Sequence, residues 1–152
     1  MKKYNKYNIY RIKISDGTYQ CLEANEKESD VFLSPDTSGN LQKLYVVKHA
    51  DEIYYVGMTK QDIRSRLRMG FKAKGEHGYH GYKWKSQEEV EFLIWNFPGK
   101  TRDYIEVIEA ELVYFIREKT GNWPKHQMEI HFHGATEEER TVAKSILSEL
   151  MN

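Results

Sequence analysis

Two short runs rich in tyrosine, valine and isoleucine, residues 41–48 and 53–58, lie on either side of Ala50-Asp51-Glu52. Side chains of this kind suit a pleated, half-buried surface, and so short a connection predicts an antiparallel hairpin. A second hairpin is predicted upstream. There Ile9-Tyr10-Arg11-Ile12-Lys13-Ile14 alternates apolar and polar, Asp16-Gly17 supplies the turn, and residues 18–22 return. Between the hairpins, residues 23–40 turn acidic and then turn-rich, the composition of a surface loop. Residues 90–97, stopped by Pro98-Gly99, form a third, central strand.

Three helices are expected. Thr59 is placed to N-cap the first, whose Ile63, Leu67 and Phe71 recur every fourth residue and which Gly70 should end or weaken. Asp103 and Glu106 form a capping-box-like start for the longest, which Gly121 ends. The last begins at Thr136, with Glu139 three residues on, and runs through Val142, Ile146 and Leu150. The expected fold is α+β: a small, mainly antiparallel sheet flanked by helices, with an added N-terminal β-hairpin. At 152 residues it fits one domain, divided into an extension over 1–40, a core over 41–124 and a C-terminal extension over 125–152.

No apolar run at the N-terminus resembles a signal peptide and none elsewhere approaches the roughly 20 residues of a membrane span, so a cytoplasmic chain without a membrane partner is expected. Cys21 is the only cysteine, which excludes an intrachain disulfide and a zinc site built on several thiolates. The net charge is zero, mildly against a nucleic-acid partner, but the charges are unevenly spread. Between residues 57 and 85 stand Lys60, Arg64, Arg66, Arg68, Lys72, Lys74, Lys83 and Lys85 against Asp62 and Glu76 alone. That third of the chain is suited to a phosphate backbone. A solvated basic face is the other reading.

Within the longest helix Ile108, Leu112 and Phe115 make an apolar stripe, and Glu111 falls inside it, three residues after Ile108 and four before Phe115. A carboxylate costs several kcal/mol to bury unless it is paired or binds a cation, so Glu111 is a candidate metal ligand or one half of a salt bridge. Glu106 and Glu109 are expected to be solvated. Tyr45 and Tyr55 face each other across the second hairpin if its turn is short. Tyrosines in strands commonly only pack, but near a guanidinium and a metal ion a phenolate is favoured and can deprotonate a water.

The segment Leu44-Tyr45-Val46, then Tyr55-Val56-Gly57, Met58-Thr59 and Arg66, nine positions after the glycine with Ile63 three before it, resembles the core of the GIY-YIG nucleases. Glu109-Ala110-Glu111-Leu112-Val113-Tyr114 is similar to that family's glutamate helix, with Glu111 at its metal ligand. Lys43-Leu44-Tyr45 lacks the opening glycine of the first motif. Gly70 stands where the family offers His or Tyr, and His77 or His80 in the following loop could substitute. Asn122 and Gln127 are alternatives for an amide the family places near its site. A zinc site on His126, His131 and His133 lacks a fourth ligand.

What the resemblance implies is a DNA endonuclease with one divalent ion, magnesium or manganese, on Glu111. Tyr45 would be the general base, Tyr55 would position the phosphate, and Arg66 would stabilise the transition state, with Arg64 as its rival. Arg64, Arg68, Lys72, Lys74, Lys83 and Lys85 would hold DNA. The short leftover segments look most like a stand-alone, restriction-type enzyme acting as a homodimer. A structure-specific repair nuclease and a non-catalytic nucleic-acid-binding module with the same fold are the alternatives.

Overall fold

The computed structural model describes residues 4–15, 17–72, 87–127 and 134–151. Its strands are β1 (Asn8–Ser15), β2 (Thr18–Ala24), β3 (Lys27–Glu28), β4 (Lys43–His49), β5 (Glu52–Thr59) and β6 (Glu89–Asn96), and its helices α1 (Ile63–Lys72), α2 (Arg102–Thr120) and α3 (Glu137–Met151). The strands form one antiparallel sheet in the order β3-β2-β1-β6-β4-β5. The fold is therefore α+β, and the N-terminal hairpin extends the sheet through β1, which pairs with β6.

Alternation along the strands divides the interior in two. On one face Leu44, Val46, Val56, Leu93 and Trp95 pack against Ile105, Ile108, Leu112 and Ile116 of α2 and against Val142, Ile146 and Leu150 of α3. On the other, Tyr10, Ile12, Tyr45, Val47, Phe92 and Ile94 pack beneath Ile63, Leu67 and Phe71 of α1. Cys21, buried on β2, belongs to this second layer.

Helix boundaries follow local hydrogen bonding, and three differ from expectation. Asp62, not Thr59, caps α1 by accepting the Ser65 N–H at 2.9 Å, because Thr59 is still the last residue of β5. The helix also continues through Gly70, which is buried beside the anchor Phe71, so packing offsets the roughly 1 kcal/mol cost of a helical glycine. Thr101 caps α2 by accepting from the Tyr104 N–H, which leaves Asp103 in the first turn, and Gly121 ends it in the left-handed conformation with φ 83°. Thr136 and Glu139 cap α3 reciprocally.

The turn-rich stretch before β4 is not simply a surface loop. Asp36 is fully buried and accepts hydrogen bonds from the Tyr10 hydroxyl at 2.6 Å, Asn96 Nδ2 at 2.7 Å and Asn8 Nδ2 at 3.1 Å. Its own carbonyl accepts the Ile63 N–H at 3.1 Å, which ties the loop to the first residue of α1. Lys43, also fully buried, donates to the carbonyls of Ser38, Leu41 and Gln61. Burial raises the Asp36 carboxyl above, and lowers the Lys43 ammonium below, their ordinary ranges.

Candidate functional site

The second hairpin turns through Ala50 and Asp51, with Ala50 at φ 51°. After so short a turn, a regular ladder beginning at His49 and Glu52 would pair Tyr45 with Val56 and Tyr55 with Val46, leaving the two tyrosines on opposite faces. A bulge prevents this. The register shifts between Val47 and Lys48 so that Tyr54 is the extra residue, Val47 faces Tyr55 and Tyr45 faces Gly57. Tyr45 and Tyr55 thus share the α1 face as diagonal neighbours rather than direct partners, with ring centroids 6.0 Å apart.

Gly57 lies between the two rings. A Cβ there would come within 2.6 Å of Cζ and the hydroxyl oxygen of Tyr45 and 2.7 Å of Tyr55 Cε2, so only glycine lets both phenols close over the strand. Tyr45 is buried and stacked on Phe92, with centroids 5.0 Å apart and ring planes at 15°. Tyr55 remains partly open to solvent.

Helix α1 separates its arginines by flank. Arg64 and Arg68, one turn apart and exposed, stand close enough to Tyr19 on β2 for their charges to oppose the rise that burial imposes on its phenol. Arg66 is about 200° round the helix from Arg64 and so lies on the flank turned away from Tyr19, partly buried. β2 lies toward one end of the sheet, and β4 and β5 form the other. The side chain of Lys72, and Lys74, His77, His80, Lys83 and Lys85 altogether, lie outside the described residues.

Helix α2 distributes its carboxylates differently from the expected stripe. The buried set Ile105, Ile108, Leu112, Val113, Phe115 and Ile116 is broader than Ile108, Leu112 and Phe115 alone, and the arc it spans on the helix includes the half-buried Glu109. Ile116 and Thr120 line a groove shared with Glu52 and Ile53, so that flank of α2 addresses β5. Glu109, seven residues before Ile116, falls on the same line, whereas Glu111 is about 140° away from Ile116. Glu111 is instead one turn before Phe115, over whose ring Lys144 of α3 sits at 5.4 Å.

Glu109 is therefore not the solvated side chain expected of it. Burial, reinforced by the charge of Glu106 and partly offset by Arg102, pushes its carboxyl up to about 8. By surface area both Glu109 and Glu111 are partly exposed. Neither glutamate makes a hydrogen bond or ion pair with another described residue. Glu106 and Glu109, three residues apart on one flank, are carboxylates of the kind a hard divalent cation takes, and a cation would offset the burial cost of Glu109.

Of the two amides, Gln127 is the one that reaches the hairpin. Its Oε1 accepts the Val56 N–H at 2.8 Å and its Nε2 donates to the Val56 carbonyl at 3.0 Å, which mimics a strand partner for the middle residue of Tyr55-Val56-Gly57. The preceding backbone continues the pairing, with Lys125 N–H to Ile53 O at 2.9 Å and His126 N–H to Tyr54 O at 2.7 Å. Asn122 is exposed. His126 packs edge-on against Tyr54 and lies 3.3 Å from Gln87 Nε2 through its own Nε2, while His131 and His133 lie outside the described residues. Among the described residues no group of three His, Cys, Asp or Glu side chains converges, and no helix is long and apolar enough to cross a membrane.

Sequence reasoning missed three features of this region. The Tyr54 bulge has no marker in a run of aromatic and β-branched residues, and the Asp36 network joins residues 60 positions apart. The role of Glu109 depends on which flank of α2 meets the sheet. Compared with known proteins, the chain matches no family model, no curated protein and no solved structure.

Proposed function

We propose that the protein is a DNA endonuclease of the GIY-YIG type. The observation that carries this reading is the bulged register that brings Tyr45 and Tyr55 onto one face around Gly57. The pair is also fixed in place, because the position of Gly57 beneath the two rings admits no Cβ.

The reaction is in-line attack of water on a phosphodiester, with a P–O bond formed to water and the bond to the 3′-oxygen broken. Tyr45, as phenolate or through a relay, takes the proton of the attacking water, and the departing 3′-oxygen is protonated from solvent. Tyr55, the more open phenol, holds a phosphate oxygen, and Arg66 donates charge-assisted hydrogen bonds to the oxygens that gain charge. A divalent ion, magnesium or manganese, would neutralise charge at the phosphate and the departing oxygen.

The motif spacing assigns that ion to Glu111. The flank α2 turns toward β5 favours Glu109, with Glu106 beside it, and Glu109 is the ligand we adopt. Glu109 stands on the α2 face of the sheet and the two phenols on the α1 face, with β5 as the edge strand beside both. Arg64 and Arg68 supply phosphate contacts on the outer flank of α1. Double-strand cutting of the restriction type by a chain with one such site calls for a homodimer.

Magnesium-dependent cleavage of plasmid and branched DNA tests this, with Tyr45→Phe, Glu109→Gln and Glu111→Ala compared with wild type. Tyr45→Phe and Glu109→Gln are expected to lose about 100-fold or more, the scale of one transition-state contact, while Glu111→Ala keeps most activity. Loss in Glu111→Ala with Glu109→Gln unaffected would return the ion to Glu111. A wild type that cuts neither substrate but binds DNA would establish the non-catalytic binding module instead, and activity confined to branched DNA the repair-type nuclease.

A further inference from the structure

Beside the turn of the second hairpin, the end of α2 and the segment after it enclose an open groove of about 630 Å³. Ile53, Ile116 and Pro124 give it an apolar floor, Trp123 forms a wall, and Asn122 and Asp51 stand on its rim. Trp123 is a large apolar side chain left 49% exposed, and the Arg117 guanidinium lies over its ring at 5.8 Å. None of these residues takes part in the chemistry proposed above.

We infer that this groove is a nucleobase subsite, in which one base of the bound DNA strand stacks on Trp123. The inference rests on the DNA-cleaving reading for the position of the strand, and on the groove itself for the kind of ligand.

The lining suits a flat heteroaromatic ring with polar edges. An indole wall over an apolar floor stacks any base, since every base has a π-face, and an amide and a carboxylate on the rim can accept from or donate to its edge. A phosphate fits poorly. The one lysine of the rim, Lys125, is held by Glu52 at 3.3 Å, and Asp51 adds a further negative charge. The backbone therefore runs elsewhere, and the groove receives what projects from it.

Two independent rulers give the distance from the site. From Ile53 to Gly57 is three ladder steps once the bulged Tyr54 is set aside, about 10 Å at 3.3 Å each. From Ile116 to Glu109 is seven residues of helix, about 10 Å at 1.5 Å each. Both run along the molecule from the level of the groove to that of the proposed chemistry, and both correspond to about three steps of stacked DNA at about 3.4 Å per step. The same segment links the two places, since Lys125 and His126 pair with β5 at Ile53 and Tyr54, and Gln127 ends on Val56. A base seated on Trp123 would thus fix the register of the strand relative to the scissile phosphate.

The experiment is a scan of labelled oligonucleotides, each carrying one abasic residue at successive positions, with equilibrium binding read by fluorescence anisotropy in calcium and cleavage read in magnesium. Wild type, Trp123→Ala and Trp123→Phe are compared. Trp123→Ala is expected to bind intact DNA about 5- to 100-fold more weakly, the range for one stacked base, with kcat little changed and Trp123→Phe retaining most of the affinity. In wild type one abasic position about three nucleotides from the cut should cost the same factor, and in Trp123→Ala that position should cost nothing further. Equal losses at every position in both proteins, or unchanged DNA binding by Trp123→Ala, would overturn the inference and leave the groove to a ligand of another class, such as a peptide. Because binding is read without turnover, failure of cleavage alone would count against the nuclease reading and not against the groove.

Discussion

At the scale of single residues, Gly57 and Glu109 carry the most consequence. A methyl group on Gly57 would have to displace a buried, stacked tyrosine, with ring carbon and oxygen at 2.6 Å. Gly57→Ala is expected to cost about 1–3 kcal/mol, the range for overpacking a core, and to abolish cleavage by moving Tyr45; a thermal melt beside the DNA assay checks both. Glu109 is expected to set a pH dependence in the ion-free protein. Its carboxyl is raised from 4.5 to about 8, so the folded state holds a proton that the unfolded chain has already lost. Stability should therefore fall as pH rises from about 4.5 through about 8 and level off above. Glu109→Gln should remove most of that slope and be more stable than wild type at pH 9 by about 1–3 kcal/mol, with partial solvent access keeping the gain below the full shift. Melts at pH 4 and pH 9 measure it. Added magnesium should raise the wild-type melting temperature at pH 9 and leave Glu109→Gln where it was.

At the scale of elements, hairpins and helices were legible because periodicity and capping are local. Thr136 with Glu139, Gly121 and the alternation over β1 all did what their chemistry suggests. What escaped was relational. Tyr54 is a strand residue whether or not it is bulged, so the same letters fit a register with Tyr55 on either face. The stripe of α2 could be traced from Ile108, Leu112 and Phe115, but its centre shifts once Ile105, Val113 and Ile116 are also buried, and that shift exchanges Glu109 for Glu111. Asp36 sat in a segment with every mark of a surface turn, and its partners on β1 and β6 come from distant parts of the chain. The Gln127 bridge belongs to this scale too. Gln127→Ala deletes two hydrogen bonds to Val56, worth about 1–3 kcal/mol together. The Val56 amide is expected to exchange with deuterium at least tenfold faster, read by NMR in the folded protein.

At the scale of the whole molecule, the neutral total charge conceals a division of labour. Arg64 and Arg68 stand exposed on α1, whereas acidic side chains crowd the first turn of α3. DNA affinity should accordingly fall as salt rises, and Arg64→Ala with Arg68→Ala should reduce the slope of log K against log salt by about two, roughly one for each lost phosphate contact. Titrations at several salt concentrations give that slope. A double variant with an unchanged slope would move the DNA path to another face.

The bridge from Gln127 to Val56 also bears on how two copies could meet. β5 ends the sheet, and an uncovered terminal strand of eight residues would invite another chain to add on to it. Gln127 and the backbone of Lys125 and His126 already take up that hydrogen-bonding edge. The opposite boundary is β3, only two residues long. Along β5, among the described residues, the edge is therefore largely taken up, and two copies meeting there would have to associate through side chains.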